Sequence, residues 1–332
     1  MSGNYQGERA AAIEAVRAAC RVCRSVQAQI TPDVLEKKDR SPVTVADFAS
    51  QALICKLLEE RFPDDPIIGE EDASELSTAE NAPFLVRVRE ELRQAGTTAT
   101  GGEICHWINR GNGSEYTSRF WTLDPIDGTK GFLRKEQYAV SLALIVEGRI
   151  EVAVLGCPNL SVGSGSDKAV GVIMAAVRGA GSRSIPLDGE PIETEIRVSS
   201  TSETARARFC ESIESGHSEH GVSARVARQL GITATPVRMD SQAKYAVVAR
   251  GEADVYMRLP ANAAYLEKIW DHAGGVLIVE EAGGTVTDVM GRPLEFAHGQ
   301  QLAANRGVIA TNGPLHDRVV TALREDYKSR ST

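Results

Sequence analysis

The stretch Trp121-Thr122-Leu123-Asp124-Pro125-Ile126-Asp127-Gly128-Thr129 constrains this chain more than any other. Phe120, Trp121 and Leu123 read as the end of a buried strand. A carboxylate delivered by such a strand must be paired or bind metal, because burying an unpaired charge is expensive. Pro125 separates Asp124 from Asp127 and stiffens the turn, so that both carboxylates converge with the Ile126 carbonyl between them. Gly128 allows close backbone approach, and Thr129 offers a hydroxyl and an amide. Hard oxygen donors of this kind suit Mg²⁺. A helix opening near Gly128 adds free N–H groups that seat a phosphate. Taken alone, the segment also reads as an Asp-Pro turn running into an Asp-Gly hairpin.

Three other segments set carboxylates beside turn residues. They are Asp47 at the end of residues 38–47, Glu70 and Glu71 in Gly69-Glu70-Glu71-Asp72, and Asp271 in Trp270-Asp271-His272-Ala273-Gly274-Gly275. Each alone reads as solvated surface. Together with Asp124 and Asp127 they favour a metal site over a plain turn.

Composition bounds the class. A chain of 332 residues, 42% hydrophobic and 25% charged, buries a substantial core as one large domain or two modest ones. The net charge of −8 argues against a nucleic-acid-coating surface, but not against a small anionic substrate served by metal ions and a few local cations. Of the six cysteines only Cys20 and Cys23 lie close together, and no second pair follows at ligand spacing, so all six read as buried free thiols in a reducing compartment. The first residues lack the basic and apolar parts of a secretory leader, and no apolar run spans a bilayer, so the expectation is a soluble cytoplasmic protein without membrane or nucleic-acid partners, and a monomer by default.

Helical spacing of Ile13, Val16, Cys20, Cys23 and Gln27 predicts a helix over residues 7–29. A second is expected from 45 or 46 to 61, ended by Phe62-Pro63. Residues 73–113 read as a polar insertion with one helix near 83–94. Residues 138–146 and 150–155 predict strands joined as a hairpin at Glu147-Gly148-Arg149, and 172–177 a further strand. From about 198 the rhythm alternates: strands at 208–213, 234–239, 253–259 and 307–311, helices at 223–230, 241–250 and 270–282. The expected division is therefore an α+β part over 1–197, with an antiparallel sheet and most ligands, and an α/β part over 198–332.

In order and in type, these segments resemble the inositol monophosphatase superfamily of Mg²⁺-dependent, lithium-sensitive phosphatases, whose pattern is Gly-Glu-Glu, then Asp-Pro-x-Asp-Gly-Thr, then Trp-Asp-x-Ala-Gly before a helix. The likeness covers nearly the whole chain. It implies a layered sandwich of alternating helix and sheet layers, of the fructose-1,6-bisphosphatase type. Within the superfamily the chain looks most like the 3′(2′),5′-bisphosphate nucleotidases. Lys130-Gly131-Phe132 stands where inositol monophosphatases have x-Asn-Phe, the interval from Glu70 to Asp124 is long, and four downstream segments match the nucleotidases' pocket. Those segments are residues 214–218, 241–245, 253–260 and 267–272.

The resemblance implies metal ligands at Glu70, Asp124, the Ile126 carbonyl, Asp127 and Asp271, holding two or three Mg²⁺ ions. Asp47 and Thr129 match the pair that orients and deprotonates the attacking water. Gly128, Thr129, His217, Ser241, Lys244, Arg258 and Asp271 match positions that hold substrate, with Lys244 and Arg258 the candidates for a second phosphate. The implied reaction converts 3′-phosphoadenosine 5′-phosphate to AMP and phosphate, with 3′-phosphoadenylyl sulfate as a further substrate. The rivals are an inositol polyphosphate 1-phosphatase or inositol monophosphatase, and, in another class, a silent nucleotide-binding regulator. Gln242-Ala243, where relatives often carry Met, is expected to affect packing alone. Trp121 and Trp270 are read as packing residues behind the ligands, and His220 and His272 have no assigned role.

Overall fold

The computed structural model describes residues 5–29, 35–36, 42–163, 169–213, 220–259, 262 and 265–330. Helix α1 (Gln6–Ala28) buries Ala12, Val16, Ala19 and Cys23 along one face. A short antiparallel pair, β1 (Leu35–Glu36) and β2 (Pro42–Val43), leads into α2 (Val45–Arg61). Thr44 caps α2: its hydroxyl oxygen accepts the Ala46 N–H at 3.1 Å, and its own backbone N–H donates to the Asp47 carboxylate at 2.8 Å. Strand β3 (Ile67–Gly69) is followed by α3 (Ala82–Gln94) and α4 (Gly101–Asn109), two helices where the sequence predicts one. Gly101 and Gly102 disguise α4, which instead begins on the reciprocal box of Thr100 and Glu103.

Next come β4 (Arg119–Asp127), the short α5 (Thr129–Leu133), β5 (Ala139–Val146), β6 (Arg149–Ser161), β7 (Val170–Val177), β8 (Ser182–Pro186) and β9 (Thr194–Glu195). Strands β3 to β9 form one sheet in sequence order, parallel between β3 and β4 and antiparallel elsewhere. The predicted hairpin is a two-residue turn, with Val146 opposite Arg149 and φ positive at both Glu147 and Gly148.

The remaining elements are β10 (Phe209–Glu211), α6 (His220–Gln229), β11 (Val237–Arg238), α7 (Ala243–Ala249), β12 (Val255–Arg258), α8 (Ala273–Glu281), β13 (Thr285–Thr287), β14 (Val308–Thr311) and α9 (His316–Arg330). Their sheet runs β11-β10-β12-β14-β13. The first three strands are parallel, as the alternating rhythm predicts, while β14 and then β13 at the edge extend the sheet antiparallel. Neither β13 nor α9 is foreseen from the sequence.

Strand parity builds the layers. On β5, Val140, Leu142 and Leu144 pack with α1 and α2, while Ala139, Ala143 and Ile145 face α7 and α8. On β12, Tyr256 joins that second cluster from the far side, and Val255 and Met257 pack with α6 and α9. Helix α8 is caught between the two sheets, which is why Val276-Leu277-Ile278-Val279 is buried all round rather than along a stripe. The result is the expected alternating stack of helix, sheet, helix, sheet and helix.

Candidate active site

The ends of these layers open into a cleft of about 880 Å³. Strand β4 supplies its floor. The pairing of β4 with β5 shifts between Asp124, opposite Ser141, and Asp127, opposite Ala139, so Pro125 and Ile126 form a bulge within the strand rather than a turn beyond it. Ser50, on α2, donates to the Pro125 carbonyl at 3.0 Å and pins the bulge from beneath. Asp271 arrives from the other half, just before α8. Ligand oxygens of Asp124, Asp127 and Asp271 all lie within 4.8 Å of one another.

Asp124 is 1% exposed, and among the described residues its Oδ1 has no hydrogen-bond partner. Burial pushes its carboxyl well above the usual range, and Glu70, Asp127 and Asp271 push it further. Burial likewise raises Asp271, against the pull of Arg258 and with repulsion from Asp127 and Glu70. It raises Asp127 against Lys244, Arg258 and the Gln242 backbone N–H. An orphaned buried oxygen amid mutually repelling carboxylates is what a divalent cation resolves, and all the donors are hard oxygens, so the residues present fit Mg²⁺. A second group, Glu267, Asp271 and His272, is equally compact. Its Glu267 already accepts from His272 at 3.1 Å and pairs with Arg258 at 3.3 Å, so these atoms serve each other.

Glu70 sits at the end of β3, where its backbone N–H donates to the Leu123 carbonyl at 3.2 Å. Gln51, buried on α2, fixes this corner by accepting the Glu71 N–H at 3.1 Å and donating to the Glu71 and Ile108 carbonyls. A Cβ at Gly69 would lie 2.8 Å from Gln51 Oε1, so a side chain there would have to displace the Gln51 amide from its bonds. Gly128 has φ of +86°, and a Cβ on it would lie 2.9 Å from the Ser241 Cβ. Ser241 itself holds φ of +69°, strained for a residue with a side chain. That turn aims the Gln242 N–H at the Asp127 carboxylate.

Several expectations meet a different arrangement. Asp47 is buried and is not on the cleft wall; both donors of Thr44 go to its carboxylate. Thr129 does line the cleft, but its hydroxyl donates to the Ile126 carbonyl at 3.3 Å, and no hydrogen bond joins Thr129 to Asp47. The helix foreseen at Gly128 is present and only five residues long.

Ser241, Lys244 and Arg258 all border the cleft. Lys244 is nevertheless 2% exposed, with its ammonium 3.4 Å from the Met239 carbonyl and over the Tyr256 ring. Burial lowers its pKa against the pull of Asp127. Arg258 pairs with Glu267 and lies 3.8 Å from Asp271; burial opposes its charge, and Glu267, Tyr256, Asp271 and Tyr265 together outweigh burial and hold its pKa above the usual range. His217 lies outside the described residues. Trp121 and Trp270 are both buried, Trp121 bonded to Asp65 at 3.0 Å and Trp270 under the Lys268 ammonium. The cysteines Cys20, Cys23, Cys55, Cys157 and Cys210 are buried free thiols, and Cys105 is half-buried.

Three contributors escape sequence reasoning. Gln51 and Gln242 are buried amides whose partners are distant in the chain, and no local pattern marks them. His272 belongs to a buried relay in which Tyr245 OH and His272 Nδ1 are 2.7 Å apart and His272 Nε2 meets Glu267. Gln242 also departs from expectation, since its side chain bonds to three segments rather than filling space.

Comparison with known proteins bears on the whole chain. The model of the inositol monophosphatase family matches residues 4–328. A 3′(2′),5′-bisphosphate nucleotidase of Schizosaccharomyces pombe is 42% identical over 338 residues, covering 96% of this chain and 95% of that one. One from Oryza sativa is 41% identical over 99% of this chain and 97% of its own length. Among solved structures, an inositol monophosphatase of Thermotoga maritima aligns over 96% of this chain with a TM-score of 0.64 at 22% identity, and CysQ of Bacteroides thetaiotaomicron over 93% with 0.60 at 21%. At such identities these structures speak for the fold. No helix of the described residues is long and apolar enough to cross a membrane.

Proposed function

The chain belongs to the inositol monophosphatase family, and from that premise we propose that it is a Mg²⁺-dependent 3′(2′),5′-bisphosphate nucleotidase, releasing the 3′-phosphate of 3′-phosphoadenosine 5′-phosphate as inorganic phosphate and leaving AMP. 3′-Phosphoadenylyl sulfate is a substrate by the same proposal. The observation that carries the reading is the convergence of Asp124, Asp127 and Asp271 within 4.8 Å, in a chain about 40% identical to nucleotidases along nearly its whole length.

In the proposed reaction Glu70, Asp124, Asp127, Asp271 and the Ile126 carbonyl hold two or three Mg²⁺ ions. When bound, the ions lower the pKa of the attacking water and offset charge on the leaving 3′-oxygen. Thr129, at the cleft wall, aims the water, with Asp47 assigned as its basic partner. That pairing requires the Thr129 hydroxyl to leave the Ile126 carbonyl, the same oxygen assigned to an ion. Gly128 and Ser241 border the space for the reacting phosphate. Lys244, Arg258 and His217 are assigned to the nucleotide and its second phosphate, Lys244 and Arg258 by long-range attraction as much as by contact, since both are engaged within the protein.

The test is phosphate release from 3′-phosphoadenosine 5′-phosphate, inositol 1,4-bisphosphate and inositol 1-phosphate, each with Mg²⁺ and after chelation. Preference for the nucleotide, lost with the metal, is the expected result. Preference for inositol 1-phosphate would overturn the substrate, and the absence of any metal-dependent release would overturn the enzyme.

A further inference from the structure

Asp127 closes a strand of the first sheet, and Asp271 precedes a helix packed beneath the second. Their carboxylates nonetheless converge within 4.8 Å of each other. Gln242 reaches both segments. Its backbone N–H donates to the Asp127 carboxylate. Its Nε2 donates to the carbonyl of Trp270, the residue before Asp271, at 2.9 Å. Its Oε1 accepts the Ser141 hydroxyl at 3.3 Å and the Gly275 N–H, on α8, at 3.2 Å. The residue is 2% exposed, so these bonds form away from competing water. Gly274 makes room for the arrangement: a Cβ there would lie 2.4 Å from Ser141 Oγ.

We propose that Gln242 is a positioning residue for the divalent-cation site, holding Asp127 and Asp271 at coordinating separation before the ion arrives. The inference rests on the metal reading above and deepens it. A site whose ligands are ordered in advance binds its ion without the cost of gathering repelling groups, and loss of such outer partners typically weakens metal binding about 10- to 100-fold. Gln242 is not assigned to touch substrate. Its removal therefore acts on metal affinity and leaves substrate recognition at saturating metal unchanged.

The experiment is calorimetric titration of Mg²⁺ and Mn²⁺ into metal-stripped wild-type and Gln242→Met protein, with the fold of each checked by circular dichroism. Methionine conserves volume and removes every side-chain bond. The expected result is a metal dissociation constant raised about 10-fold or more, with the KM for 3′-phosphoadenosine 5′-phosphate at saturating Mg²⁺ within twofold of wild type. A folded variant with an unchanged metal constant overturns the proposal, and so does a KM that rises as much as the metal constant. Should Gln242→Met fail to fold, Ser141→Ala removes one donor to the amide and is expected to weaken metal binding about threefold, by one modest hydrogen bond; unchanged affinity overturns the proposal there too. If the wild-type protein binds no divalent ion, the metal reading itself falls, which the same titration shows separately.

Discussion

The two walls of the cleft carry opposite charge and are finished to different degrees. On the acidic wall, burial and mutual repulsion raise Asp124 and Asp271 well above the usual carboxylate range, and one oxygen of Asp124 has no partner among the described residues. On the cationic wall, Arg258 is matched by Glu267, whose carboxyl is lowered despite burial because Arg258 and His272 favour its charged form. Lys244 rests on a carbonyl and an aromatic face. Among the described residues the cations are met by a carboxylate, a carbonyl and a ring, whereas Arg258 and Lys244 only partly offset the carboxylates and one Asp124 oxygen stays without a partner. On the proposed reading, charge on the acidic wall serves the reaction at the expense of the metal-free fold, and charge on the cationic wall serves the fold as well as the ligand.

Substitutions can break this contrast. Asp124→Asn is expected to lower kcat on the order of a thousandfold or more, by removing a proposed metal ligand. It should also raise the melting temperature of the metal-stripped protein, by roughly 2–4 °C, because a repelling buried charge is gone. A lower melting temperature would show that the acidic wall is already balanced. Arg258→Met makes the opposite statement. It leaves Glu267 without its cation and is expected to cost about 3–5 kcal/mol in denaturant unfolding. Adding Glu267→Gln should recover most of that loss, and failure to recover it would mean that Arg258 stabilises through packing instead.

Mg²⁺ itself sharpens the comparison. At about 100 times its dissociation constant it should stabilise the wild-type protein by roughly 2.7 kcal/mol. Little of that gain should remain in Asp124→Asn, whereas Lys244→Ala should keep it, as thermal melts with and without chelator would show. The smallest effect is the most specific: Lys244→Ala should raise KM about tenfold for the bisphosphate, as loss of about 1.4 kcal/mol of phosphate attraction does. It should raise KM much less for a nucleoside 3′-monophosphate. Equal effects on both would remove Lys244 from the second-phosphate role.

The sequence makes the acidic wall far more legible than its supports. Asp124, Asp127 and Asp271 each sit beside proline, glycine or tryptophan in short local patterns, and short patterns survive in one dimension. The strands that carry them are equally plain, because β5 and β6 are apolar on both faces and turn at Glu147-Gly148. Helix α4 is hidden by its two glycines, although Thr100 and Glu103 were a readable start signal. Gln51 and Gln242 carry no such signal, since an amide's value depends on what folding brings to it, here from residues as far apart as 127 and 270. The engagement of Lys244 and Arg258 is invisible for the same reason: a lysine near a pocket motif reads as a free cation until its carbonyl and ring are in place.

The glycine contacts around the cleft have a consequence for how its substrate range can change. Gly128 against Ser241, Gly131 against Asp240, Gly274 against Ser141 and Gly275 against Tyr245 are approaches in which any added carbon would lie within about 3 Å of its neighbour. The first three join segments far apart in the chain and the fourth packs α8 against α7, so a side chain added at any of these glycines must first displace its neighbour. The rim is under no such restriction: Tyr265 is 41% exposed and Lys268 is only partly covered, and both border the same cleft. Drift or design that retunes which phosphate ester is accepted meets less resistance at this rim than at the four glycines below it.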